Sequence, residues 1–279
     1  MSLQTRACFK KEILAFLRTK KFFIILAVIL GWSILGPLMI RGLGFLMDAM
    51  SPIYDDFGMD VSEMTAALTS TVSIGVSSSI SDMSVTGLIV FLLLINSFAG
   101  GEQKRRSTII PQSSGLRTFS YIFPKFIVYP LVGFVLAIAG VFVSYLISAL
   151  VFDVNDVSVT GVFLGGVISG VCLMFYICFH ITIGTATGKA GMSAAICIVS
   201  SMLLPQIFAI LGAEFIYNPF TLSLLAAHVI YDAPLIPFLA HEIAMTVLIA
   251  LAIMVVVYFV ALFVQNAKKI DNSGNEIRL

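Results

Sequence analysis

The stretch Gly100-Gly101-Glu102-Gln103-Lys104-Arg105-Arg106-Ser107-Thr108, running on through Pro111 and Arg117 to Lys125, decides how this chain is read. It stands between two long apolar runs, and Lys104, Arg105, Arg106 and Arg117 all precede the second of them. A charged side chain at the centre of a bilayer costs about 2.5–3.5 kcal/mol on insertion scales. Four together belong in water or at the interface, so the flanking runs are expected to be membrane helices and the stretch the loop that joins them.

Composition agrees. Of 279 residues, 59% are hydrophobic and 11% charged, and the mean hydropathy is +1.05. Soluble domains carry about 25% charged residues. The apolar excess lies in long runs, which predicts a polytopic, all-α membrane protein rather than a large soluble core. The net charge of +1 argues against a nucleic-acid partner. Cys8, Cys172, Cys178 and Cys197 show no C-x-x-C spacing, and none falls in a segment expected outside the cell. Neither a disulfide framework nor a metal cluster is expected. The basic N-terminus, with Arg6, Lys10, Lys11, Arg18, Lys20 and Lys21, is too long and too charged for a signal peptide, so it is expected to be retained.

Working outward, one transmembrane domain covers 1–279, with six spans expected at about 22–40, 85–101, 121–152, 161–188, 192–212 and 241–264. Residues 1–21 read as an amphipathic interfacial helix on membrane lipid, with Phe9, Ile13, Phe16 and Leu17 at helical spacing among basic residues. The segment 41–84 carries Asp48, Asp55, Asp56, Asp60, Glu63 and Asp82 and is expected outside, with a short surface helix presenting Met64, Leu68 and Val72. Residues 102–120 form the cytoplasmic loop. The segment 213–240 holds Glu214, Asn218, Pro219, His228, Asp232, Pro234 and Pro237, and reads as short re-entrant or interfacial helices on the outer side. With both termini inside, fifteen of the sixteen Lys and Arg residues are cytoplasmic, and Arg41 alone is outside. A seventh span over 213–240 would send Lys268, Lys269 and Arg278 outside, against the positive-inside rule.

Several apparent motifs fail on inspection. Gly184-Thr-Ala-Thr-Gly188-Lys189-Ala190 lacks both the first glycine and the final hydroxyl of a phosphate loop, and reads as a tight turn. His241-Glu242 has Met245 where a zinc site needs its second histidine, so Glu242 is expected to cap the last span instead. His180, Asn96 and Gln206 are polar groups within spans, and His180 is expected to bond to a neighbouring helix. Gly161, Gly165, Gly166 and Gly170 give small-x-x-x-small patterns that permit close helix packing. No nucleophile elbow or pair of intramembrane carboxylates marks a hydrolase.

The central loop is more specific. A loop that only sets topology explains its basic residues. It does not explain Glu102 at the exit of the second span, or the helix-start signals that follow. Here the chain resembles the permease subunits of ABC type-2 exporters. In that family a Gly-Glu or Arg-Glu step is followed by a basic stretch, a Gly-Thr, a short apolar stretch, a Pro-x-Ser-Arg step and a lysine opening the third span. Gly101-Glu102, Lys104-Arg105-Arg106, Thr108, Ile109-Ile110, Pro111, Arg117 and Lys125 fit this order. Ser107 replaces the usual glycine, and Gln112-Ser113-Ser114-Gly115-Leu116 stretches the step from Pro111 to Arg117. Lys10-Lys11-Glu12-Ile13 and Leu17-Arg18-Thr19-Lys20-Lys21 are similar to the family's N-terminal stretch.

The resemblance implies a multi-pass plasma-membrane permease without its own ATPase site, and so no enzyme in itself. It would work as a homo- or heterodimer with a cytosolic ABC ATPase subunit that binds the ATP and Mg. The cargo would be a hydrophobic or amphipathic peptide, antibiotic or lipid, exported between two permeases. Glu102, Lys104, Arg105, Arg106, Thr108, Pro111, Arg117 and Lys125 would couple the ATPase to the spans. The competing expectation is a membrane sensor or immunity protein that transports nothing and uses the acidic segment 41–84 as its ligand surface.

Overall fold

A computed structural model of the chain describes residues 3–56, 71–101, 115–212, 217–231 and 236–275. The described residues are almost entirely helical, and they contain no strand beyond one isolated bridge between Thr71 and Val154. Helix α1 is Leu3–Arg18 and α2 is Lys21–Asp56. Helix α3 covers Val72–Ala99, and α4, α5 and α6 are Thr118–Val151, Val159–Thr187 and Ala190–Ile210. Helix α7 is Leu222–Tyr231 and α8 is Ile236–Asn275. Six of these, α2 to α6 and α8, are long and apolar enough to cross a membrane.

Local chemistry sets the boundaries. The Ser158 hydroxyl accepts from the Gly161 amide at 3.0 Å and starts α5. Gly188 ends α5 at φ +68°, a left-handed turn that costs glycine nothing. The expected tight turn before Lys189 is this cap.

Two stretches depart from the sequence expectation. Helix α2 does not stop near residue 40 but runs through Arg41 to Asp56, and α3 begins at Val72 rather than Val85. Asp82 therefore lies inside a membrane-length helix, not in a loop. The serines that made 72–84 look like loop bond to their own helix: Ser77 donates to the Ser73 carbonyl at 2.6 Å and Ser79 to the Gly75 carbonyl at 3.1 Å. Their polarity is thus absorbed locally, while Val72, Val76, Ile80 and Met83 are buried. Met64 and Leu68 lie outside the described residues. The second departure is α8, which starts at Ile236, so Glu242 sits within the helix and caps nothing. Before it, a 3-10 turn at Pro219–Thr221 leads into α7, whose Leu222, Leu225, Ala226, Val229 and Ile230 are all buried.

The glycines of α5 serve two faces. A Cβ on Gly165 would lie 2.8 Å from Ile230 of α7, whereas one on Gly170 would lie 2.6 Å from the Phe134 ring of α4. At the far end of α5, a Cβ on Gly184 would lie 3.1 Å from the Ala99 backbone. Small residues on more than one face therefore admit three neighbours to the central helix.

The end of the bundle that carries Thr71 is tied by the α4–α5 loop. Asp156 accepts from the Ser73 amide at 3.0 Å and caps α3 from outside its own segment. Arg41 pairs with Asp153 at 3.9 Å at the same end.

Candidate functional site

The opposite end of the bundle is where the chain concentrates its buried charge. Helix α1 lies against the start of α4. Thr5 and Ser120 share a hydrogen bond at 3.0 Å, and the Phe9 and Phe123 rings meet edge-on at 5.9 Å. The face turned inward is Thr5, Glu12 and Phe16. Of the expected apolar face, Phe16 is buried and Phe9 partly so, but Ile13 and Leu17 point away from the bundle with Leu14. Thr5 and Glu12, with Phe9 and Phe16, make the contact with the protein.

Tyr129 of α4 is the meeting point. Its hydroxyl donates to Glu12 Oε2 at 2.6 Å. Its ring packs edge-on against Phe16 at 5.4 Å and stacks on Phe98 at 5.1 Å. Glu12 is buried, and the Lys11 ammonium stands 3.6 Å from its other oxygen. A buried carboxylate is tolerable when it accepts such charge-assisted bonds.

Lys125 completes the junction. It is 1% exposed, and its Nζ donates to the Phe98 carbonyl at 2.7 Å and reaches the Tyr121 hydroxyl at 3.1 Å. The ammonium also lies 4.4 Å from the centre of the Tyr121 ring. Phe98 belongs to Ser97–Gly101, a π-helical segment at the exit of α3. Wide turns of this kind free carbonyls from the regular ladder, and here one of them meets a lysine. The first residue of α2 grips the same segment: Lys21 donates to the Ser97 hydroxyl and sits 4.3 Å over the Phe98 ring. Helices α2 and α4 thus meet on the last residues of α3, and α1 joins them through Tyr129.

The expected coupling residues separate here. Arg117 is exposed at the N-cap of α4, while Lys125 is sealed inside, bonded to Phe98 and Tyr121. Glu102, Lys104, Arg105, Arg106, Thr108 and Pro111 lie outside the described residues. Compared with known proteins, the chain matches no family model, no curated protein and no solved structure.

Sequence reasoning missed Glu12, Lys21, Phe98 and Tyr129 as members of the junction. The available signal was Glu12, the sole acid within a basic N-terminal helix. Elsewhere, Ser193 of α6 bonds His180 Nδ1 at 2.6 Å, which is the interhelical contact expected of that histidine. Gln206 is exposed on α6. Among the described residues, no group of three His, Cys, Asp or Glu side chains is placed to hold a metal ion.

Proposed function

We propose that this chain is the membrane-spanning subunit of an ATP-driven exporter, moved by a separate cytosolic ATPase. The observation that carries the reading is the Lys125 bond to the Phe98 carbonyl. It fixes the residues just before the basic loop to the start of α4, beside the α1 helix held by Glu12 and Tyr129. Force applied to the loop or to α1 would therefore enter α2, α3 and α4 together. In this reading both termini are cytoplasmic, the basic loop and α1 form the docking face, and α7 dips into the membrane from the outer side. Support for an interfacial α1 comes from Leu3, Ile13, Leu14 and Leu17, which are exposed on a helix that also carries Lys10 and Arg18. The family resemblance supplies the ATPase, the dimer and the plasma membrane.

The test is co-purification of the tagged full chain from its native membrane. An ABC-type ATPase is expected with the wild type and lost when Glu102→Ala and Arg117→Ala are combined. A wild-type preparation without any ATPase, or a double variant that keeps it and still transports, refutes the assignment.

A further inference from the structure

The early start of α3 places a carboxyl group where lipid cannot solvate it. Asp82 lies 3.5 residues from the midpoint of Val72–Ala99, about 5 Å along the axis at 1.5 Å per residue. An aspartate at that depth costs several kcal/mol unless something polar faces it. Among the described residues no hydrogen bond or ion pair reaches the Asp82 carboxyl.

Asp82 is not alone on its face. Ser81 is exposed, and Ser78, Asp82 and Thr86 are half-buried along one stripe. Elsewhere the long helices turn residues such as Leu35, Val135, Val199, Leu203, Val255 and Phe259 outward, as lipid demands. A π-helical turn, Met83–Gly87, begins immediately after Asp82. It turns Met83 inward, within 3.6 Å of the Ser33 hydroxyl, while Asp82 stays half-buried. The extra residue of such a turn re-aims neighbouring side chains and recurs at functional sites.

We propose that Asp82, with Ser78, Ser81 and Thr86, is an intramembrane recognition surface for a cationic group, an ammonium or guanidinium carried on an amphipathic substrate. Charge complementarity selects this occupant. The chain's own Lys and Arg residues fall at 6–21, 41, 104–125, 189 and 268–278. Arg41 is engaged with Asp153 at the end of the bundle. A second copy thus brings no cation to this depth, and a twofold contact there would set carboxylate against carboxylate. The word substrate rests on the exporter reading; the site itself does not.

The experiment uses the full chain in phosphatidylcholine nanodiscs and radiolabelled tetraphenylphosphonium as the probe. Saturable binding is expected for the wild type, retained within about threefold by Asp82→Glu and weakened at least about tenfold by Asp82→Asn. The anionic analogue tetraphenylborate should bind all three alike. Asp82→Asn removes a charge from an apolar setting, so its thermal stability should equal or exceed that of the wild type. Equal probe binding by wild type and Asp82→Asn overturns the proposal. So does efficient disulfide cross-linking between two copies through Ser81→Cys, because a second chain then covers the face. No ATPase is needed, so failure here leaves the coupling assignment standing, and a failed co-purification leaves this result standing.

Discussion

Replacing Lys125 by methionine keeps most of the buried stem and deletes the ammonium. The bond lost is the charged one to the Phe98 carbonyl at 2.7 Å, a class worth about 1.5–3 kcal/mol. The carbonyl left behind belongs to a π-helical turn, and burial denies it water. Relief of the ammonium's own desolvation acts in the opposite sense and spreads through the whole fold, because a buried cation costs several kcal/mol. Global stability should therefore change little. The local term has no such compensation: opening of Ser97–Gly101 should become easier by about 2 kcal/mol, which is about thirtyfold in the opening equilibrium at 1.36 kcal/mol per decade. Hydrogen exchange read by mass spectrometry on the full chain in nanodiscs resolves this. Peptides over 97–101 should exchange about thirtyfold faster in Lys125→Met, with peptides over 165–175 unchanged. Unchanged exchange at 97–101, or equal acceleration throughout, would mean that Lys125 does not hold the exit of α3.

Three further outcomes follow from the packing. Gly140→Ala puts a Cβ 2.6 Å from Met83 Sδ and 2.9 Å from Ser33 Oγ; it should destabilise by about 1–3 kcal/mol in thermal unfolding, whereas Gly31→Ala, with nothing within 4 Å, should not. Ser193→Ala strips the 2.6 Å partner from fully buried His180 and should cost about 1–3 kcal/mol, seen as a lower unfolding midpoint. Asp156→Ala removes the cap on α3 and should cost about 1 kcal/mol, with faster exchange confined to residues 72–76.

The long helices were legible because each carries an unbroken apolar window, and hydropathy reads windows well. It reads hydroxyls poorly. Ser73, Ser77 and Ser79 count as polar in any scale, yet two of them bond to carbonyls one turn back and leave Val76 and Ile80 free to pack. That is why the start of α3 and the depth of Asp82 were misplaced. Arg117 and Lys125 look alike in the sequence, both basic and both near the opening of α4. Their separation into surface and interior is set by helical phase and by Tyr121, one turn before Lys125. The Glu12–Tyr129 bond joins residues 117 apart in the chain. No spacing rule reaches across that distance.

Helix α2 is a rod of 36 residues, about 54 Å at 1.5 Å per residue, against a hydrocarbon core of about 30 Å. Pro37 and Pro52 interrupt its ladder without ending it. Lys21 pins one end to the exit of α3, and the rod is longer than a hydrocarbon core is thick. A rod held this way is a lever with a long arm: rocking it by 10° about Lys21 sweeps Asp56 through about 9 Å. Small rotations at the pinned end become large displacements at Asp56.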